Sequence, residues 1–362
     1  MSELRVLASG IDSLYASVQG ELIDGLMVFL ADLREQNPEG DIPLALGSRE
    51  PDLLLRSHSW RGYPYWFSCP RWELFVGAPD PLPPVYLQVH AAHIHTVGVE
   101  QAVADVEAML VADLFPRGCH AVASRVDVFV DEQGWIPEPA DFAHFRCRAL
   151  RRRMFEVTRQ QHGYGSRLSG FTFGKDDLVA RIYDKTLETA VTGKTWPELL
   201  WIGRHPDLPV WRVEFQYRRP VLAAMGLSAM GDVLRHRQGL WDYGTRWLSL
   251  REERPDSNRG RRPLAPAWAH LVGACLGGSS VPLIRDRVRE TEVLRLTQGL
   301  VGYATSVEAV GAARGVGGAL VATVPSVRPY LEQRGASFAE LVGAKRERRL
   351  DVGLPATDVG RR

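Results

Sequence analysis

The feature that most constrains this chain is a run of strict alternation, AVASRVDVFVD, between residues 121 and 131. Val126, Val128 and Val130 recur at every second position, with Arg125, Asp127, Phe129 and Asp131 between and beside them. A period of two is that of a β-strand, whose side chains alternate between two faces. A helix would scatter these valines round its circumference and form no apolar stripe. The segment is therefore a strand with one apolar face and one face carrying an arginine and two acids.

Two later segments repeat the arrangement. In Leu178–Lys185, Leu178, Ala180 and Ile182 oppose Arg181, Tyr183 and Lys185. In Trp211–Tyr217, Trp211, Val213, Phe215 and Tyr217 oppose Arg212, Glu214 and Gln216. If the three apolar faces rest on helices, the polar faces share one surface. An ordinary exposed sheet face with cross-strand ion pairs would give the same pattern. Two acids placed centrally in strands, where Asp is normally depleted, favour a site.

The remaining periodicities supply the helices and further strands. Residues 4–18 read as a strand, 21–35 as a helix, 62–77 as two short aromatic strands and 85–90 as another. Residues 99–114 read as a helix with Val99, Val103, Val106, Leu110 and Leu114 on one face. Pro139 and Asp141 open an expected helix over 139–155. Residues 169–185 read as a hairpin turning at Gly174–Asp177, and 210–217 as a strand. A few helices against a largely antiparallel sheet predict an α+β fold. After Pro220 the strand pattern stops and helical spacing takes over, broken by the polar, Pro-rich stretch 253–266 and a Gly-rich stretch at 311–318. The expected division is a functional domain over 1–220 and a mainly helical one over 221–362.

Composition narrows the function. Lys+Arg is 44 and Asp+Glu is 43 in 362 residues, which excludes a histone-like polycation but not a local basic groove. No run of 18 apolar residues predicts a membrane span, and the first residues lack a secretion-signal layout, so a cytoplasmic location is expected. The four cysteines form no C-x-x-C pair, which argues against a zinc ribbon. No GK[ST] follows the Gly-rich stretch, so nucleotide hydrolysis is unsupported.

The shared polar face has the groups for phosphoryl transfer. Asp127 and Glu214 are candidate ligands for Mg²⁺ or Mn²⁺, hard cations that take carboxylate oxygens and polarise a phosphate. Tyr183 is a candidate nucleophile, with Lys185 and Arg181 beside it. Arg125 and Arg212 suit phosphate through bidentate geometry. Arg151, Arg152 and Arg153 form a basic cluster, either a solvated face or a phosphate-gripping track.

Taken together, RIYDKTLE (Arg181–Glu188), SRVDVFVD (Ser124–Asp131) and WRVEFQ (Trp211–Gln216) resemble three ordered motifs of plasmid and phage rolling-circle replication initiators of the trans-acting Rep type. The resemblance covers about residues 60–225 and lies in the motifs. It implies a DNA nickase and strand-joining enzyme, topoisomerase-like in its chemistry, with Tyr183 as nucleophile and Asp127 and Glu214 as acidic ligands. It also implies a replication origin as substrate, a host helicase and polymerase as partners, and compatibility with a homodimer. The family's upstream strand often carries a Glu, where VYLQVH offers Gln88 and His90. Two alternatives stay open: an origin- or operator-binding regulator without chemistry, and a mobilisation nickase. The second would use His93-Ile94-His95, since two His at i, i+2 in a strand share a face. Tyr164 is the second-choice nucleophile. A fragment 1–225 is expected to cut single-stranded DNA, with 226–345 supplying duplex preference.

Overall fold

The computed structural model describes residues 3–46, 50–78, 82–158, 166–253, 262–283, 285, 289–311, 314–341 and 343. Tyr164, Arg159, Arg259 and Arg261 lie outside the described residues. Strand β1 (Arg5–Gly20) leads into helix α1 (Leu26–Gln36). Five strands follow: β2 (Ile42–Leu46), β3 (Glu50–Leu55), β4 (Tyr65–Ser68), β5 (Trp72–Val76) and β6 (Val85–Val89). Helices α2 (Ala91–Val97) and α3 (Val99–Met109) precede β7 (Cys119–Gln133). Next come α4 (Asp141–His144), β8 (Phe145–Cys147), β9 (Arg152–Thr158), β10 (Ser166–Lys175) and β11 (Leu178–Asp184). Helix α5 (Lys185–Thr192) leads to β12 (Val210–Arg218). Helices α6 (Arg219–Ala224), α7 (Met230–Arg235) and α8 (Arg237–Trp247), strand β13 (Leu248–Leu250) and helix α9 (Pro266–Val272) complete the first unit. Helices α10 (Arg289–Ala309) and α11 (Gly315–Gln333) form the second.

The fold is α+β. Among the described residues eleven antiparallel strands make one sheet in the order β2-β3-β4-β5-β6-β1-β7-β12-β11-β10-β9, and β13 pairs with β8. The first strand is thus inserted between β6 and β7, and β7, β12 and β11 are neighbours. Alternation places their apolar residues on one face. Leu14, Ala16 and Val18 of β1, Val126, Val128 and Val130 of β7, and Val213, Phe215 and Tyr217 of β12 are all buried. Burying each of the Val, Leu and Phe side chains among them contributes about 1.5–3 kcal/mol. Helix α8 closes over them: Trp241 packs edge-on against Phe215, and Tyr217 Oη donates to the Leu240 carbonyl at 2.6 Å. A Cβ at Gly244 would stand 2.6 Å from the Phe215 ring, so glycine lets the helix lie this close. On the same side Glu132 is fully buried, 3.0 Å from His270 Nδ1 of α9.

The change of texture at residue 220 coincides with the end of the last sheet strand. The compact unit nevertheless runs on to Arg285, and the second unit is Asp286–Arg362. The reason is packing, because the apolar faces of α6 to α9 are buried with the sheet.

Two local expectations change, and one region appears that the periodicity did not announce. The helix expected over 139–155 is a single turn, Asp141–His144, followed by β8 and β9. Phe145 is drawn into a cluster with Phe171, Phe173 and Trp268, and residues 152–158 pair with β10. Tertiary pairing overrides a helical spacing that was fortuitous. Strands β2 and β3, over which the sequence raises no expectation, contain Pro43 and Pro51, as an edge region tolerates. The His93–His95 segment is helical, in α2, rather than a continuation of β6.

Candidate active site

Register brings the three polar faces together. Arg181 of β11 lies opposite Glu214 of β12, and Tyr183 opposite Arg212. On the other flank Glu214 lies opposite Phe129 of β7, Arg212 opposite Asp131, and Gln216 opposite Asp127. Asp127 and Glu214 are both buried, as are Gln216, Phe129 and Arg212 beside them, whereas Arg125, Arg181 and Tyr183 are partly exposed. The carboxylates form a floor and the arginines stand over it.

Each group at this floor has a defined partner. Glu214 divides its two oxygens: Arg181 Nη1 donates to Oε1 at 2.8 Å, and Tyr183 Oη donates to Oε2 at 3.2 Å. Arg181 also donates to Gln216 Oε1 at 3.1 Å. Arg125 binds Asp127 through two nitrogens, Nε at 2.9 Å and Nη2. The Arg125 side chain is 24% exposed and that of Arg181 39%. Both can therefore meet a ligand arriving from solvent.

Burial sets the protonation chemistry. It pushes the Asp127 carboxyl up to about 7, resisted by the Arg125 hydrogen bond and reinforced by the nearby Glu214 charge. It also raises the Tyr183 phenol well above its ordinary value, again with Glu214 adding to the effect. A phenolate at Tyr183 therefore needs compensating positive charge in this face.

Lys185 opens α5 rather than continuing β11, and Asp184 caps that helix by accepting from the Leu187 N–H at 2.9 Å. Lys185 Nζ pairs with Glu188 at 2.7 Å and sits 5.5 Å from the Tyr183 ring centroid. A Cβ at Gly170, opposite Tyr183, would stand 3.0 Å from the Tyr183 Cβ and 2.5 Å from the Ile182 carbonyl. Only glycine leaves the tyrosine its place there.

Arg212 is not at the surface expected of a DNA contact. It is fully buried, with Nε and Nη2 on Asp131 at 2.6 and 2.8 Å, Nη1 on Asp12, and its guanidinium 3.9 Å from the Phe129 ring centroid. It is an internal clamp that ties β1, β7 and β12 together. Trp201 Nε1 also donates to Asp131, at 2.8 Å. Asp12 was not foreseen because it sits at a register shift in β1, between Ile11 and Ser13, where the alternation breaks. Burial works to raise Asp12, but Arg212 and Lys185 more than offset it and hold the carboxyl low.

The histidines part company. Residues i and i+2 on a helix point in divergent directions, so His93 and His95 share no face. His93 lies 3.6 Å from Asp105. His95 lies over the polar face instead, edge-on to Phe129 and stacked on Trp196, and burial lowers its pKa. The paired-histidine metal reading is thereby lost. His90 is spent on the Pro70 carbonyl and faces Glu73, and Gln88 lies on β6, two strands from Asp127.

Arg151, Arg152 and Arg153 lie on or just before edge strand β9. Arg152 donates to the Phe145 and Cys147 carbonyls at 3.1 and 3.2 Å, a structural role. Arg153 is aligned through Thr172 with Arg181, so it extends the site row to the sheet edge.

Among the described residues no three His, Cys, Asp or Glu side chains cluster as a metal cage. Asp127 and Glu214 offer carboxylate oxygens of the kind Mg²⁺ takes beside its waters and a substrate phosphate, but Arg125 and Arg181 occupy three of the four here. Burial is the main cause of the raised Asp127 carboxyl, and the Glu214 charge that adds to it is what a cation shared by the two carboxylates would relieve.

No protein-family model matches the chain, and no curated protein matches it significantly. Among solved structures it is similar to the rolling circle replication initiator protein from Geobacillus stearothermophilus, at 17% identity and a TM-score of 0.45. The match covers 78% of this chain and 100% of that one. Among the described residues no helix is long and apolar enough to cross a membrane.

Proposed function

We propose that the chain is a rolling-circle replication initiator that nicks and rejoins origin DNA through Tyr183. The observation that carries the reading is the Tyr183 Oη hydrogen bond to Glu214 Oε2, on a face shared with Asp127, Arg125 and Arg181. The three motifs that resemble those of such initiators fall on the strands that build this face.

In this reading Tyr183 Oη attacks the scissile phosphorus and the 3′ oxygen of the preceding nucleotide leaves. The phenol proton passes to Glu214 Oε2, already its hydrogen-bond acceptor, and from there to the departing 3′ oxygen, which becomes the free 3′-OH. Arg125 and Arg181 turn from the carboxylates to the phosphate oxygens, and a fork-shaped guanidinium matches that geometry. Asp127 and Glu214 would hold Mg²⁺ or Mn²⁺, which supplies Lewis-acid stabilisation of the phosphate charge. Lys185, against the Tyr183 ring, adds positive charge that favours the developing phenolate. The product is a 5′-phosphotyrosyl ester and a free 3′-OH. The 3′-OH primes a host polymerase, with a host helicase opening the duplex. The same ester stores the bond energy for rejoining, so no ATP is needed. Cytoplasmic action fits this role.

A second reading is a DNA-binding regulator without chemistry. It is favoured by the occupation of both Asp127 oxygens by Arg125 and of Glu214 Oε1 by Arg181. Incubating the chain with supercoiled DNA carrying the sequence around its own gene, with Mg²⁺ or Mn²⁺, separates the two. The enzyme reading predicts relaxed or open-circular product that disappears in Tyr183→Phe. Binding without any change of topology would favour the regulator.

A further inference from the structure

The polar face does not end at Arg125. Its guanidinium carbon lies 4.7 Å from the Tyr15 ring centroid of β1. Tyr15 is 6.2 Å from Tyr86 of β6, and Tyr86 is 5.9 Å from Trp60, whose ring is within 23° of parallel to it. Trp60 in turn stacks at 4.1 Å on the buried Phe75 of β5. Beyond it Trp66 of β4 continues the row. Leu74, Leu87 and Ala16, one residue away on these strands, point into the core. The aromatic rings therefore share the side of the sheet that carries Asp127 and Glu214.

Two features distinguish this row from an apolar core. Tyr15, Tyr86, Trp60 and Trp66 are half-buried, with only Phe75 and Tyr63 sunk beneath them. Cations are interleaved with the rings: Arg125 on Tyr15, Arg61 at 4.6 Å on Trp60 and Arg56 at 5.8 Å on Trp66. Arg218, exposed, lies across from Arg125 on β12. Rings and cations in alternation match a single strand, with bases for the rings and phosphates for the arginines. A duplex keeps its base faces stacked inside and offers only groove edges. The row is also continuous with the site, because Arg125 is the group that clamps Asp127. Strands are spaced by about 4.8 Å, so Tyr15 is on the order of 14 Å from the Tyr183 strand, a reach of a few nucleotides.

We propose that Tyr15, Tyr86 and Trp60 form a base-stacking track for the single-stranded DNA that flanks the bond attacked by Tyr183. This rests on the nicking reading for its substrate but has its own readout.

The test uses the full chain carrying Tyr183→Phe, so that nothing is cut, and a fluorescein-labelled oligothymidine of about 12 nucleotides read by anisotropy. Trp60→Ala should weaken binding by between about five- and a hundredfold, the range for loss of one stacked base. Trp60→Phe should restore most of it. The slope of log affinity against log salt should stay the same, since no phosphate contact is removed. On an oligonucleotide with abasic sugars the Trp60→Ala penalty should vanish. Tyr86→Leu, a second ring on the track, should repeat the pattern, which guards against misfolding of a single variant. Equal affinity for both rings' variants and the parent would overturn the proposal. So would an undiminished penalty on the abasic strand, or a matched duplex bound as tightly as the single strand. Failure of the nicking reading is separate: it appears as absence of any covalent adduct in the native chain, whatever the oligonucleotide affinities.

Discussion

At the scale of single residues, Glu214 answers to two partners, Arg181 on one oxygen and Tyr183 on the other. Glu214→Gln keeps the shape and removes the charge, and Asp127→Asn does the same beside it. Each should cut nicking by at least about a hundredfold and flatten the Mg²⁺ or Mn²⁺ titration, since a lost ligand removes transition-state stabilisation. Unchanged metal titrations in both variants would move the site elsewhere. Glu132 gives a pH prediction on the opposite face. Burial raises its carboxyl to about 8, so the folded state holds a proton that the unfolded chain releases near 4.5. Its contribution is complete below pH 4.5 and is lost as pH rises through 8, by a few kcal/mol. Chemical denaturation at pH 5.5 and pH 8.5 should show the native chain losing stability across that window. Glu132→Gln should lose less, and an identical loss in the two would refute the assignment. The face residues were readable because Asp127, Glu214 and Tyr183 each fall on a strict alternation. Asp12 was not, because a strand irregularity hides its parity, and Arg212 was misjudged because alternation does not say which polar residue is covered.

At the scale of elements, β7, β11 and β12 were legible from their valines and aromatics, whereas their adjacency in the sheet is a long-range fact. The expected helix over 139–155 shows the limit of periodicity: one turn forms, and the rest goes to two strands because Phe145 and the β10 edge compete for it. His93 and His95 show it too, since strand and helix make opposite statements about residues two apart. The arginines of β9 then have different roles. Arg153→Ala should weaken binding to all DNA sequences alike and lower the salt slope by roughly one. Arg152→Ala should instead lower thermal stability, because the guanidinium caps two carbonyls. Equal salt slopes for the parent and the Arg153 variant would remove β9 from the DNA path.

At the scale of the whole molecule, the helices after residue 220 belong to the core of the first unit, and a fragment ending at 225 would expose the surfaces covered by Trp241, Leu240 and Trp268. The smallest fragment expected to fold and react is therefore 1–285. Removing α10 and α11 should leave strand cleavage intact while reducing the ratio of origin to random-duplex affinity at fixed salt. An equal ratio in fragment and full chain would leave the second unit without a part in origin choice. Mapping the covalent bond identifies the nucleophile. Full-length chain would be mixed with labelled DNA from around its own gene in Mg²⁺ or Mn²⁺, digested with protease and nuclease, and analysed by mass spectrometry for nucleotide-bearing tyrosine. A single 5′-phosphotyrosyl peptide containing Tyr183, absent after Tyr183→Phe, is expected; a nucleotide on any other tyrosine, or no adduct while the DNA is still cut, would exclude Tyr183 as the nucleophile.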